Sequence, residues 1–240
     1  MGITKEVDSR KVMERIQTGD VLMVGGFGLI GSPLTLIDAL TKHDASELTI
    51  ISNNVGEAGE GLGLLLRQGK IKKAIGSYFT SNREAVQYYN EGKLEIELLP
   101  QGTLSEAIRA GGAGLGGFYT KTAVGTELAK GKETKAIDGE TYLLEKALKA
   151  DVALIRAQKA DTKGNLVYYK TARNFNPNMA TAAKYVIAEV DEIVEVGELS
   201  AEEIVTPHLY VDAIVKSGLI LTKEGVVERE NKRNDCKAHS

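Results

Sequence analysis

At 240 residues and 42% hydrophobic, the chain can build one large α/β domain or two small ones, and carries too much apolar matter to be disordered throughout. A formal net charge of −3 supplies no general basic field of the kind nucleic acid attracts, so no nucleic-acid partner is expected. The opening "MGITKEVDSRKVMERIQTGD" is charged and has no apolar core, which argues against a signal peptide, and it lacks the Ser/Thr of a myristoylation signal. The apolar runs fall far short of the ~20 residues that span a bilayer, so a soluble protein without a membrane partner is expected. The one cysteine, Cys236, permits no intrachain disulfide and suits a reducing cytoplasm, the expected location.

Taken in chain order, apolar runs and helical patterns alternate. "VLMVGG" reads as a buried strand, and "PLTLIDALTKH" as a helix with Pro33 in its first turn, where a missing N–H costs nothing. "LTIISN" is a second strand and "GLGLLLRQGK" a glycine-weakened helix. "KKAIGSYF" is a third strand, "NREAVQYYNEGK" a helix capped by Asn82, and "LEIELLP" a fourth strand. "TLSEAIRAG" follows as a helix, with Thr103 as its cap, Glu106 at the capping-box position and Gly111 at its end. The alternation predicts an α/β fold with an open, mostly parallel sheet and helices on both faces. From Gly111 to Gly139 the pattern breaks into a Gly-, Thr- and Lys-rich stretch, read as a functional loop or a small inserted substructure. Strand-like runs resume at "TYLLE", "VALIRAQ", "NLVYY" and "YVIAEV", with "DTKGN" as a turn. The expected domain covers residues 1–222, and 223–240 reads as a polar, mobile tail.

Gly26, Gly28 and Gly31 in "VLMVGGFGLIGSP" spell G-x-G-x-x-G between a strand and a helix. That order fits a dinucleotide loop, whose backbone N–H groups and helix N-terminus hold a pyrophosphate. A Rossmann unit also wants an acidic residue at the end of the second strand, and Ser52, Asn53 and Asn54 stand there instead. An NAD-dependent oxidoreductase and a ligand-free tight turn both stay open at this point. A second G-x-G-x-x-G, at Gly112, Gly114 and Gly117, follows a helix rather than a strand and is weak.

His43, His208 and His239 are scattered without metal-ligand spacing, so no metal site is expected, and His43 reads as part of a solvated helix end. Glu57 and Glu60 in "NNVGEAGEG" occupy a glycine-rich loop after a strand, where α/β sites lie, and are candidate acid, base or nucleophile. Gln101, between a strand and a helix, is a neutral amide able to donate to a developing oxyanion, or else a simple polar cap. "TARNFNP" sets Arg173 and two Asn before a helix, a pattern suited to binding an anion or packing on a partner.

"VGGFGLIGSP" resembles the G-G-F-x-x-x-G-x-P signature of the alpha-type half of family I coenzyme A transferases. That signature usually opens with Asp or Asn before a glycine, and Thr18-Gly19 stands there, a mild departure. "ISNN", "LGLLL", "PQGTL", "IRAGGAG", "GFYT", "KADTKGNLVY" and "ARNFNP" follow in the family's order, so the likeness runs roughly from Lys5 to Lys216.

The resemblance implies a three-layer fold and transfer of CoA from an acyl-CoA, such as succinyl- or acetyl-CoA, to a 3-oxoacid such as acetoacetate. It implies CoA as a substrate, with no permanently bound cofactor. It places the nucleophilic glutamate in an S-E-N-G motif of a beta-type partner subunit. No S-E-N-G occurs here; Ser46-Glu47-Leu48 and Ser105-Glu106-Ala107 come nearest. Glu57 and Glu60 thereby lose their claim, and the chain is expected to be inactive alone, working in an αβ heterodimer that pairs again as α2β2 or α4β4. Gln101 would support the oxyanion, and Gly25, Gly26, Phe27, Gly28, Leu29, Ile30 and Gly31 would line the CoA side of the cleft. A non-catalytic acyl-CoA- or sugar-phosphate-binding module is a third expectation beside the transferase and the NAD enzyme.

Overall fold

A computed structural model describes residues 4–229; the part of the expected tail from residue 230 on, with Cys236 and His239, lies outside them. The first elements are α1 (Ser9–Val12), β1 (Val21–Val24), α2 (Leu34–Thr41), β2 (Leu48–Ile51) and α3 (Leu62–Arg67). Next come β3 (Ile71–Gly76), α4 (Arg83–Asn90), β4 (Glu95–Leu98) and α5 (Gln101–Gly112). β5 (Gly117–Thr120), β6 (Thr134–Ile137) and β7 (Glu140–Lys146) precede the long strand β8 (Ala150–Asp161). β9 (Leu166–Val167), α6 (Asn176–Thr181), β10 (Ala183–Val194), β11 (Ala213–Lys216), β12 (Leu219–Thr222) and β13 (Gly225–Glu228) complete the order.

The main sheet runs β11-β10-β8-β1-β2-β3-β4, every neighbour parallel, with β9 antiparallel on β8. Alternation within β1 explains the layers. Leu22 and Val24 pack with Leu36, Ile37 and Leu40 of α2 and Leu65 and Leu66 of α3. Met23 points the other way, into a core with Leu104 and Ile108 of α5 and Met179 of α6. A strand apolar on both faces must be covered on both, which puts helices on each side of the sheet as expected.

The Gly-, Thr- and Lys-rich stretch supplies β5 and β6 to a three-stranded antiparallel sheet, β5-β7-β6, separate from the main one, with β7 following it as the central strand. The expected cap of α5 is corrected. Helix α5 starts at Gln101, after Pro100, so Thr103 is a buried residue inside it and Glu106 pairs with Arg109 at 2.6 Å instead of reaching back. Gly111 does not stop the helix; a Cβ there would stand 1.8 Å from Leu148 O, so it serves the close crossing of the following chain. Asn82 caps α4 as expected, accepting from Glu84 N and Ala85 N. Residues 223–229, read as the start of a tail, continue a hairpin in which Leu219 pairs with Glu228. The pairing follows from β-branched Val226 and Val227 opposite Leu221 and Ile220.

Candidate functional site

Parallel strands deliver their connecting loops to one edge of the sheet, and the loops after β1, β2, β3 and β4 line up there. The turn after β1 bends sharply: Phe27 N donates to Ile30 O at 2.9 Å and Ile30 N to Phe27 O at 3.2 Å. Gly26, Gly28 and Gly31 carry φ of +125°, +59° and +70°, values that side chains disfavour. Their surroundings differ. A Cβ on Gly31 would meet Ala172 O at 2.4 Å, whereas one on Gly28 would meet nothing nearer than Glu57 Oε1 at 3.9 Å. Gly31 is small because its own chain crowds it; Gly28 faces open space. Phe27 and Ile30, 51% and 47% exposed, stand beside it with apolar surface uncovered. The far flank of the turn, Leu29, Ile30 and Gly31, lines a cavity of about 390 Å³ whose other walls include Tyr168, Tyr169, Ile220 and Arg156.

Two asparagines hold this turn from below. Asn174 Oδ1 accepts from Gly26 N at 3.1 Å, and its Nδ2 donates to Ile30 O at 2.9 Å. Asn176, fully buried, donates through Nδ2 to Gly31 O at 3.0 Å and accepts at Oδ1 from Arg156 N at 2.8 Å. The two asparagines of "ARNFNP" therefore cradle the glycine turn, their amides consumed inside the chain, while Arg173 just before them is exposed.

The start of α2 decides the dinucleotide question. Pro33 offers it no side-chain cap. Instead Glu189 of β10, 0% exposed, accepts from Thr35 N at 2.8 Å and Leu36 N at 3.2 Å. The same carboxylate accepts from Thr35 Oγ1 at 2.9 Å, Ser217 Oγ at 2.8 Å and Arg156 at 2.6 Å. Burial raises its pKa, opposed chiefly by the Arg156 charge and then by the Ser217 and Thr35 hydroxyls. A pyrophosphate would need those same N–H groups at the positive helix end. An internal anion already occupies them, and the NAD reading is set aside. Nothing at "VLMVGG" in the sequence foretells this, because the carboxylate arrives from a strand more than 150 residues later.

Further along the edge, Ser52 Oγ donates to Val24 O at 2.7 Å and ties the end of β2 to that of β1. Asn53, 1% exposed, donates through Nδ2 to Ser77 Oγ at 3.0 Å and to Gln101 Oε1 at 3.3 Å. Gln101 is the exposed first residue of α5, beyond β4. Its side chain thus leans back across the end of β3 to that of β2, one strand from the glycine turn. With its oxygen turned inward, its N–H pair is left on the solvent side. Ser52, Asn53, Ser77 and Gln101 leave this part of the edge uncharged.

Glu57 and Glu60 lie in a second turn, Gly56 to Gly61, where Glu60 N donates to Glu57 O at 3.1 Å. Both are half-buried, and Glu57 Oε1 is the atom nearest the open face of Gly28. Of the second glycine motif, Gly112 packs where a Cβ would lie 2.0 Å from Thr181 Oγ1, and Gly117 belongs to β5, so the motif joins the end of α5 to a strand rather than a strand to a helix. His43 sits half-buried past the end of α2, its Nδ1 accepting from Ala45 N at 3.2 Å. No helix among the described residues is long and apolar enough to cross a membrane.

The comparisons with known proteins point one way. The family model described as coenzyme A transferase matches residues 8–217. The chain is 52% identical over 207 residues to the A-type subunit of a probable succinyl-CoA:3-ketoacid coenzyme A transferase of Bacillus subtilis, covering 86% of this chain and 87% of that one. It is 50% identical over 205 residues to the A-type subunit of a 3-oxoadipate CoA-transferase of Pseudomonas putida, covering 85% and 89%. Its fold matches an acyl-CoA transferase of Escherichia coli O157:H7, solved as a thioester complex with CoA, with a TM-score of 0.79 at 22% identity. That match covers 89% of this chain and 47% of the other, so the chain spans about half of that enzyme. The chain belongs to the coenzyme A transferase family, as an enzyme subunit of the alpha type.

Proposed function

We propose that the chain is the alpha-type subunit of a 3-oxoacid CoA-transferase and supplies the neutral, donor-lined half of its active site. One observation carries the reading: four consecutive strand ends bring the glycine turn, Ser52–Asn54, Ser77 and Gln101 to one edge, with the Gln101 amide oxygen bonded inward. A beta-type subunit brings the nucleophilic glutamate to this edge. The exposed Phe27 and Ile30 suit a cleft closed by a second chain.

The reaction this predicts proceeds in covalent stages. The partner's carboxylate adds to the acyl-CoA thioester carbonyl, and the tetrahedral oxyanion collapses by expelling CoA thiolate, leaving an acyl–glutamyl anhydride. The thiolate adds to the glutamyl carbonyl and releases the donor acid, giving a glutamyl–CoA thioester. The acceptor carboxylate then retraces both steps and leaves as the new acyl-CoA. Each addition builds negative charge on a carbonyl oxygen. Gln101 meets that charge with an uncharged N–H, so it strengthens binding in the transition state only. Gly28, without a side chain, lets the thioester approach the backbone, and the Gly25–Gly31 turn lines the path of CoA. CoA enters as a substrate, and no resident cofactor takes part in these steps. The assembly is a heterodimer that pairs again, as α2β2 or α4β4, in the cytoplasm.

The test is to co-express the chain with its beta-type partner and assay transfer from succinyl-CoA and acetyl-CoA to acetoacetate, acetate and 3-oxoadipate. Turnover with a 3-oxoacid acceptor and a glutamyl–CoA adduct on the partner is expected. Tight acyl-CoA binding without transfer would favour a binding module instead. Gln101→Ala in the assembled enzyme should lower kcat about a hundredfold with little change in KM for acyl-CoA, and Gln101→Glu should be worse.

A further inference from the structure

A primary amide has nearly the same shape either way round, so packing does not decide whether Gln101 shows its N–H pair or its oxygen to the cleft; only hydrogen bonds do. The bonds here form a directed set. Asn53 Nδ2, which can only donate, lies 3.3 Å from Gln101 Oε1 and 3.0 Å from Ser77 Oγ. Ser77 Oγ lies 3.4 Å from both Gln101 Oε1 and Asn53 O, so its single proton serves one of these oxygens and it meets Asn53 Nδ2 as an acceptor. The main chain of Asn53 is held in place, its backbone oxygen accepting from Ser77 N at 3.1 Å and Tyr78 N at 3.2 Å, so its side-chain amide stays within reach of Gln101. A reversed Gln101 would set its own N–H groups against those of Asn53.

We propose that Asn53, seconded by Ser77, is a positioning residue: it selects the orientation of the Gln101 amide and so makes it an oxyanion donor rather than a repelling acceptor. The inference rests on the reading of Gln101 as that donor. Nothing in it requires Asn53 to touch substrate.

A double-mutant cycle on the assembled enzyme tests it. Asn53→Asp offers only acceptors, which turns the Gln101 amide round and presents its oxygen to the cleft. Its kcat should fall about a hundredfold, as far as in Gln101→Ala, with KM for acyl-CoA little changed. Adding Asn53→Asp to Gln101→Ala should then cost less than about twofold more, because nothing is left to orient. Should the buried Asp prevent assembly, Asn53→Ala gives the same cycle: it slows the enzyme several-fold with Gln101 present, and not without it. A slow Gln101→Ala enzyme combined with near-normal Asn53→Asp turnover, or with losses that multiply, overturns the positioning role alone. Normal turnover of Gln101→Ala instead removes the donor reading, and this inference with it.

Discussion

The turns after β1 and β2 share one design. Each runs from a glycine through a two-residue bend to a second glycine and a helix, with bridges Phe27–Ile30 and Glu57–Glu60 at matching positions. The glycines at both ends of each turn have positive φ; the turns differ in where a third falls within the bend, at Gly28 in the first and Gly59 in the second, and in what lies over it. A Cβ on Gly59 would stand 2.3 Å from the Arg67 guanidinium, itself paired to Glu84, while Gly28 is open. Their anchoring differs too. The first turn hangs on Asn174, Asn176 and Glu189 from the far end of the chain; the second is held by its neighbour Asn82, whose Nδ2 donates to Val55 O at 3.3 Å. A backbone motif alone does not mark a site. On the proposed reading, it is the open Gly28 together with the long-range clamp that sets the first turn apart.

The sharpest way to break this contrast is at Gly28. Gly28→Val puts a branched side chain into space its own chain leaves empty, at a φ of +59°. Turnover of the assembled enzyme should fall about a hundredfold, more than the roughly 1–2 kcal/mol of backbone strain explains. Thermal melts beside kcat measurements separate the two, and unchanged kinetics would make the first turn as structural as the second.

The clamp comes next. Glu189→Gln removes the charge that receives Arg156 and the α2 N–H groups, and should cost about 2 kcal/mol of stability in urea unfolding. An unchanged midpoint would mean that α2 does not depend on this anchor.

Much of this fold was readable beforehand because its signals are local. Strands such as "VLMV" and "LTII" are continuously apolar, and Asn82 caps the helix it immediately precedes. The misreadings at Thr103 and Gly111 arose because the cap position of α5 falls three residues earlier, at a Pro100 that supplies no side-chain cap, and because a crossing chain rather than a helix end demands the glycine. Within the site, the glycine turn and Gln101 were visible as punctuation between strand and helix. The roles of Asn174, Asn176, Glu189 and Asn53 were not, since each acts on a residue far from it in the chain. "ARNFNP" drew notice as polar residues before a helix, but its partner, the turn at 25–31, is set by the sheet order and not by spacing.

Smaller effects sharpen the same comparison. Asn174→Ala frees Gly26 N, leaves Ile30 O with Phe27 N alone, and should lower kcat about tenfold, with faster hydrogen exchange confined to the first turn. If kcat holds while exchange rises, the rigidity of the turn is not what turnover needs. Gly59→Ala should be the mildest, destabilising by about 1 kcal/mol as Arg67 gives way while kcat stays normal. A collapse of kcat there would move the second turn into the site.

The central claim is that this chain holds the donor-lined half of a transferase site and no nucleophile of its own. Its most direct test is CoA transfer from succinyl-CoA to acetoacetate by the purified chain alone, by its beta-type partner alone, and by the two mixed. The account predicts no transfer by either alone and full turnover on mixing, with the glutamyl–CoA adduct trapped only on the beta-type chain. Full-rate transfer by this chain without a partner would contradict it.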